Sequence, residues 1–101
     1  MTDAEINLAI AKIEYPNRVI DQHQDVGAIV IIGTGFKTKD YVNNWADIGE
    51  IIEREKIALS YDGDVWFAYG LGGRGREVGA CEKTPTKAAA LCFLKIRGVE
   101  I

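Results

Sequence analysis

Ile57-Ala58-Leu59-Ser60-Tyr61-Asp62-Gly63-Asp64-Val65-Trp66-Phe67-Ala68-Tyr69 is the stretch whose reading decides the fold. Two runs rich in β-branched, aromatic and other apolar residues, 57–61 and 65–69, flank a turn, and Asp-Gly between such runs is a strong hairpin signal. Gly70 to Gly75 reads as a flexible loop, and Arg76 to Glu82 returns as a third antiparallel strand. The period then changes. Thr84 is an N-cap, Pro85 occupies the first helical position and Gly98 lies just past the end, which together bound a helix. Ala88, Ala89, Leu91, Cys92, Phe93, Leu94 and Ile96 cover most of its circumference, so this helix is predicted to be largely buried.

Upstream, Thr2 and Glu5 form a T-x-x-E capping box, and Ile6, Ala9, Ile10 and Ile13 follow at i, i+3, i+4, i+7, an amphipathic helix that Pro16 ends. Residues 17–25 are mostly polar and read as a loop. Val26 to Ile32 is β-branched and apolar, a buried strand, and Phe36 to Tyr41 is a candidate for a second short one. A second helix starts near Asn44, with Asp47 at N3 suited to the positive helix end. Trp45, Ile48, Ile51 and Ile52 form its apolar face, and Gly49 inside it, costing about 1 kcal/mol against Ala, implies close packing there. The order α-β(β)-α-β-β-β-α predicts a single α+β domain over residues 1–101. Three helices pack with a mainly antiparallel sheet of three to five strands, a helix count that suggests cover on both sheet faces.

Composition excludes more than it selects. The 101 residues are 48% hydrophobic, within the globular range, and the net charge is −3. Residues 1–55 carry ten acids against five bases and residues 56–101 five against seven, neither the basic excess of a nucleic-acid-binding domain nor the acidity of a DNA mimic. No apolar run reaches the length of a membrane span, and the acidic start Met1-Thr2-Asp3-Ala4-Glu5 lacks the features of a signal peptide. The expected setting is the cytoplasm. Cys81 and Cys92 are expected to be small buried hydrophobes in a reducing compartment, and Trp45 and Trp66 core residues.

No catalytic constellation emerges. Gly70, Gly72 and Gly75 match G-x-G-x-x-G, but the residues after Gly75 read as strand, and a dinucleotide fingerprint needs the last glycine to open a helix. His23, the only histidine, lies in a polar stretch and reads as a solvated side chain rather than a triad base. Asp62 and Asp64 are explained by turn chemistry without a metal. Two sets of residues remain as binding candidates. Arg74 and Arg76 sit beside glycines that allow close approach to a partner or an RNA backbone. Asp40, Tyr41, Asn43 and Asn44 form a polar cluster larger than one helix cap requires, at a loop beside a rigid element.

At that cluster a family comes into view. Asp3-Ala4-Glu5-Ile6-Asn7-Leu8-Ala9-Ile10-Ala11, Asp40-Tyr41-Val42-Asn43-Asn44 followed by Asp47 and Ile51-Ile52, Gly63-Asp64-Val65-Trp66-Phe67-Ala68, and Thr84-Pro85-Thr86-Lys87-Ala88-Ala89 resemble, end to end, the NinX-like proteins of lambdoid phages and prophages. Tyr15 to Lys39 matches least, and the resemblance gives the arginine–glycine loop no recognised counterpart. The resemblance implies a phage or prophage accessory protein acting in the bacterial host cytoplasm, and it carries over no catalytic residue. The function expected is a non-enzymatic module that binds a host or phage protein, with no cofactor, no metal and no membrane partner. The alternative is a weak RNA or single-stranded DNA binder through the Gly/Arg loop 70–76, which the net charge disfavours. An exposed edge at Arg76–Glu82 or Val26–Ile32 would also allow a homodimer.

Overall fold

In the computed structural model, which describes residues 1–23 and 27–99, three helices accompany six strands in two antiparallel sheets. The order is α1 (Asp3–Glu14), β1 (Ile20–His23), β2 (Gly27–Ile32), β3 (Gly35–Lys39), α2 (Trp45–Glu55), β4 (Ala58–Tyr61), β5 (Trp66–Leu71), β6 (Glu77–Glu82) and α3 (Pro85–Ile96). The α+β class expected from the sequence holds, with its antiparallel strands divided into sheets β1-β2-β3 and β4-β5-β6. The start of the Val26 strand, the end of the 17–25 loop and the side chain of His23 lie outside the described residues.

Local chemistry sets the helix starts. Thr2 accepts from the Glu5 N–H and donates its own N–H to the Glu5 carboxylate, closing the capping box. These bonds hold the exposed Glu5 carboxyl below its ordinary range. Asn44 Oδ1 accepts from the Ala46 N–H at 2.8 Å, and Thr84 Oγ1 from the Lys87 N–H, with Pro85 entering the first turn. At the β4–β5 turn, Asp62 Oδ1 accepts from the N–H groups of Asp64 and Val65.

The second sheet is graded for a helix on one side. Register places Ala68 against Ala80 and Gly70 against Val78, with Leu59 beside Ala68. This inner face is low along its central strand, and α3 lies on it. A Cβ on Gly70 would come within 2.6 Å of Ile96 Cδ1, so the absence of a side chain lets helix and sheet approach. Phe93, Leu94, Cys92 and the three alanines 88–90 complete a buried α3, joined in the core by Ile6 and Ile10 of α1, Val30 of β2 and Ile48 and Ile51 of α2. Among the described residues no helix is long and apolar enough to cross a membrane.

Several expectations are corrected here. Residues Ile20–His23 form a strand rather than part of a loop, because β2 offers an open edge in register from Ile20↔Val30 to His23↔Gly27. Trp45 is 54% exposed: it is the first residue of α2, a turn ahead of Ile48 and Ile51, where the helix meets the core. Cys81 is exposed, since its register partner is Phe67, on the side of the sheet away from α3. Nothing lies within 4 Å of a Cβ built on Gly49, so close packing does not explain that glycine. β2 is a central strand paired on both sides, which removes it as a dimer edge. β6 is an edge, and Lys95 Nζ donates to the Gly79 carbonyl there at 2.6 Å. Cover on both faces does not occur in the second sheet: Phe67, Tyr69 and Leu71 point away from the core that Trp66 and Val78 join.

Candidate interaction surface

The polar cluster after β3 is built around a residue 33 positions earlier. Asn7 lies on the buried face of α1 and is 2% exposed. Its Nδ2 donates to Asp40 Oδ1 at 3.0 Å, and its Oδ1 accepts from the Val42 N–H at 3.1 Å. Asp40 Oδ1 also accepts from the Asn43 N–H, while the Asp40 N–H donates to Asp47 Oδ2 at 2.8 Å and Lys39 pairs with Asp47. Asn44 caps α2. Tyr41 is 2% exposed, and burial pushes its hydroxyl above the ordinary range. Of the four candidates here, Tyr41 is core, Asp40 is the acceptor that organises the turn, and Asn43 and Asn44 reach the surface with hydrogen bonds already made. Their joint product is a rigid junction between β3, α2 and α1. An Asn7→Ala variant leaves the buried Val42 N–H without a partner and is expected to cost about 2–3 kcal/mol. Urea denaturation measures this; an unchanged midpoint would mean that water replaces the amide without loss.

Arg74 and Arg76 occupy the β5–β6 connection, away in sequence and sheet from that junction. Gly73–Gly75 makes one 3-10 turn, Arg74 adopts a left-handed backbone (φ 63°), and the Gly72 N–H donates to the Arg76 carbonyl at 2.7 Å. Both arginines are exposed, and neither joins an ion pair among the described residues. Arg76 and Lys95 border a cleft of about 450 Å³ walled partly by Gly72, Gly73 and Gly98. Strand β6 follows Gly75 with only Arg76 between, and Gly70 lies inside β5, so the glycine pattern does not build a dinucleotide site.

The feature that sequence reasoning missed is the outer face of the second sheet. Its central strand carries Phe67, Tyr69 and Leu71. Phe67 and Tyr69 are stacked with ring centroids 6.1 Å apart and planes 12° apart. Tyr69 is 39% and Leu71 64% exposed. Register sets Ser60 and Cys81 beside Phe67, Ala58 and Gly79 beside Tyr69, and Glu77 beside Leu71. One ionisable carboxylate therefore stands at the end of an otherwise apolar or small-residue face. On the first sheet, Asp21 and Thr38 flank Ile29 and interrupt the corresponding face. The available signal was the strand itself: both alternate sets, Trp66-Ala68-Gly70 and Phe67-Tyr69-Leu71, lack charge, the pattern of a strand that expects cover on both sides.

Cys92 contrasts with Cys81. It is buried beneath the sheet, where burial pushes its thiol up to about 11, an unreactive state at neutral pH. Among the described residues no three His, Cys, Asp or Glu side chains converge in a way that would hold a metal.

A family model described as bacteriophage P22, NinX matches residues 1–97. The chain belongs to the NinX family. No curated protein matches it. The NinX match spans every helix and strand, including Tyr15 to Lys39 and the arginine–glycine loop, where the resemblance read from the sequence was weakest. It makes this a phage accessory protein, and the roles of individual residues in this NinX chain rest on the geometry above.

Proposed function

We propose that this NinX-family protein is a non-enzymatic binding module that works in the bacterial cytoplasm and captures a host or phage protein on the outer face of its second sheet. The observation carrying the reading is the row Phe67-Tyr69-Leu71, half-buried at Phe67 and exposed at Tyr69 and Leu71, on a face that α3 does not cover. Contiguous exposed apolar surface of this kind marks interaction sites in soluble proteins, and rigid aromatics contribute disproportionately to interfaces. Magnitudes fix the style of binding. Strand spacing and rise give the face roughly 14 by 20 Å, about 280 Å². Were all of it apolar, its burial at about 25 cal/mol/Å² would yield at most about 7 kcal/mol, and Ser60, Glu77 and the half-buried Phe67 lower that, against the roughly 4–15 kcal/mol lost on association. A lasting complex therefore needs further polar contacts at the rim, where Glu77, Arg74 and Lys56 are exposed.

The test is affinity purification from infected lysate, with and without nuclease, using three baits: the native chain, Leu71→Lys, and Arg74→Ala combined with Arg76→Ala. Leu71 is exposed, so its replacement is expected to change stability by no more than about 0.5 kcal/mol. The native and double-arginine baits are expected to recover the same stoichiometric protein, and Leu71→Lys to lose it. Partners that vanish on nuclease treatment and with the arginine variant would move the function to RNA or single-stranded DNA, for which aromatics on a sheet face are also suited. Empty native eluates would overturn the protein-binding reading.

A further inference from the structure

We propose that the solvent side of α2 is an interaction surface of its own, and that its occupant is a basic amphipathic segment of a partner protein seated at Gly49, between Trp45 and Ile52. The surface is separate from the sheet face and does not rest on it.

Gly49 is the anomaly that points there. A glycine inside a helix weakens it relative to any ordinary helix former, and this one has no offsetting use within the chain. Its backbone is regular helix, without the positive φ of Gly27 or Gly33, and nothing lies within 4 Å of a Cβ built on it. Trp45, Gly49 and Ile52 stand at i, i+4 and i+7, one file along the helix. Trp45 is 54% exposed and Ile52 is half-buried against the core. The file is therefore a notch, with an aromatic wall at one end and an aliphatic one at the other. An exposed tryptophan offers a large apolar area for a partner to cover. The missing side chain beside it lets a foreign backbone or a long side-chain stem come close.

Charge selects the occupant. Glu50 and Glu53 flank the file on its solvent side, both exposed, and neither joins an ion pair among the described residues. Arg54, the only base within α2, is turned to Glu14 and Glu55, and at the helix start Asp47 holds Lys39. Two uncompensated carboxylates thus stand beside an aromatic ring, in the half of the chain that carries ten acids against five bases. A lysine or arginine of the partner gains from each part: its stem lies in the notch, its head reaches Glu53, and a cation over the Trp45 ring adds a cation–π contact. A second copy presenting the same acidic face is repelled, and so is a phosphate backbone.

Titration calorimetry of the full chain tests this with a synthetic helical peptide of about 15 residues, lysines on one face and leucines on the other. Its counterpart carries glutamate in place of every lysine. The native chain is expected to bind the basic peptide and not the acidic one. Gly49→Gln fills the notch while favouring the helix, so it is expected to melt higher than the native chain and yet bind roughly tenfold more weakly, a pairing that a folding defect does not imitate. Glu50→Gln combined with Glu53→Gln is expected to weaken binding by a similar factor, and Leu71→Gln, on the sheet face, to leave it unchanged. A native chain that does not bind the basic peptide overturns the inference. So does binding that Gly49→Gln or the double glutamine variant leaves intact. Binding that depends on Leu71 rather than Gly49 removes the α2 surface and leaves the proposed function standing. Binding that depends on Gly49, beside a lysate partner that ignores Leu71→Lys, does the reverse.

Discussion

A Gly27→Ala variant is expected to lose about 3–4 kcal/mol of folding free energy, much of the margin by which a small domain is stable. Gly27 opens β2 with φ at 86°, a conformation that costs an L-residue roughly 1–2 kcal/mol. The added Cβ would also collide with the carbonyl oxygen of Lys39 and approach Asn7 Nδ2 at 3.0 Å. The Lys39 oxygen is backbone, held in the β2–β3 ladder, and cannot swing aside as a side chain would. Displacing a packed neighbour of this kind adds about 1–3 kcal/mol. Gly33→Ala is the matched control. Its φ is also positive, at 60°, but no atom lies within 4 Å of the new Cβ, so only the conformational part is lost. Urea melts of both variants separate the two costs. Equal losses would show that the Lys39 contact relaxes and that only the dihedral matters.

Phe93→Ala is expected to cost about 3–5 kcal/mol, with a larger relative effect on the docking of α2 than on either sheet. Phe93 is fully buried, at the meeting of α1, α2 and α3. Two guanidinium groups lie over its ring, Arg54 at 5.8 Å and Arg97 at 5.2 Å from the centroid. Arg54 in turn holds Glu14 of α1 through two bonds of 2.9 Å and Glu55 through one of 3.0 Å, and Arg97 approaches Glu55 at 3.6 Å. These partners keep the Arg54 guanidinium firmly protonated. The ring is the floor on which the network lies. Removing it opens a cavity and takes away two cation–π contacts, each worth about 0.5–1 kcal/mol at an exposed site. Arg54→Met, which keeps an apolar stem and gives up the charge, is expected to cost only about 1 kcal/mol, since half-exposed ion pairs contribute little. Thermal melts of both variants check the ranking, and a larger loss from Arg54→Met would assign the strength of the junction to charge rather than to packing.

The parts of the fold legible in the sequence are those decided within a few residues. Thr2 with Glu5, Asn44, and Thr84 with Pro85 start helices because a side chain meets an amide two or three positions away. Asp62-Gly63 turns the chain because the Asp62 carboxylate reaches the next amides. What failed depended on distance or on which side was covered. Ile20–His23 has no apolar alternation, and it becomes a strand only because β2 pairs with it. The surplus of polar groups at Asp40–Asn44 was visible, but its explanation is Asn7, which no local pattern connects to Asp40. Cys81 and Trp45 were read by residue type, whereas their exposure follows from a strand's outward parity and from a helix's first turn. The outer face escaped for a related reason. Apolar residues on both sides of β5 announce that two coverings are wanted, and among the described residues α3 supplies one.

The bond from Lys95 to the Gly79 carbonyl has a consequence for how this protein behaves in a crowded cell. An unguarded strand edge is a template for adding further chains, and runaway addition ends in fibres. Lys95 acts as a stopper at the middle of that edge, and it comes from α3, which is anchored in the core. The guard on the β6 edge is therefore delivered by the helix that packs on the same sheet, so docking α3 and blocking that edge are one event in folding.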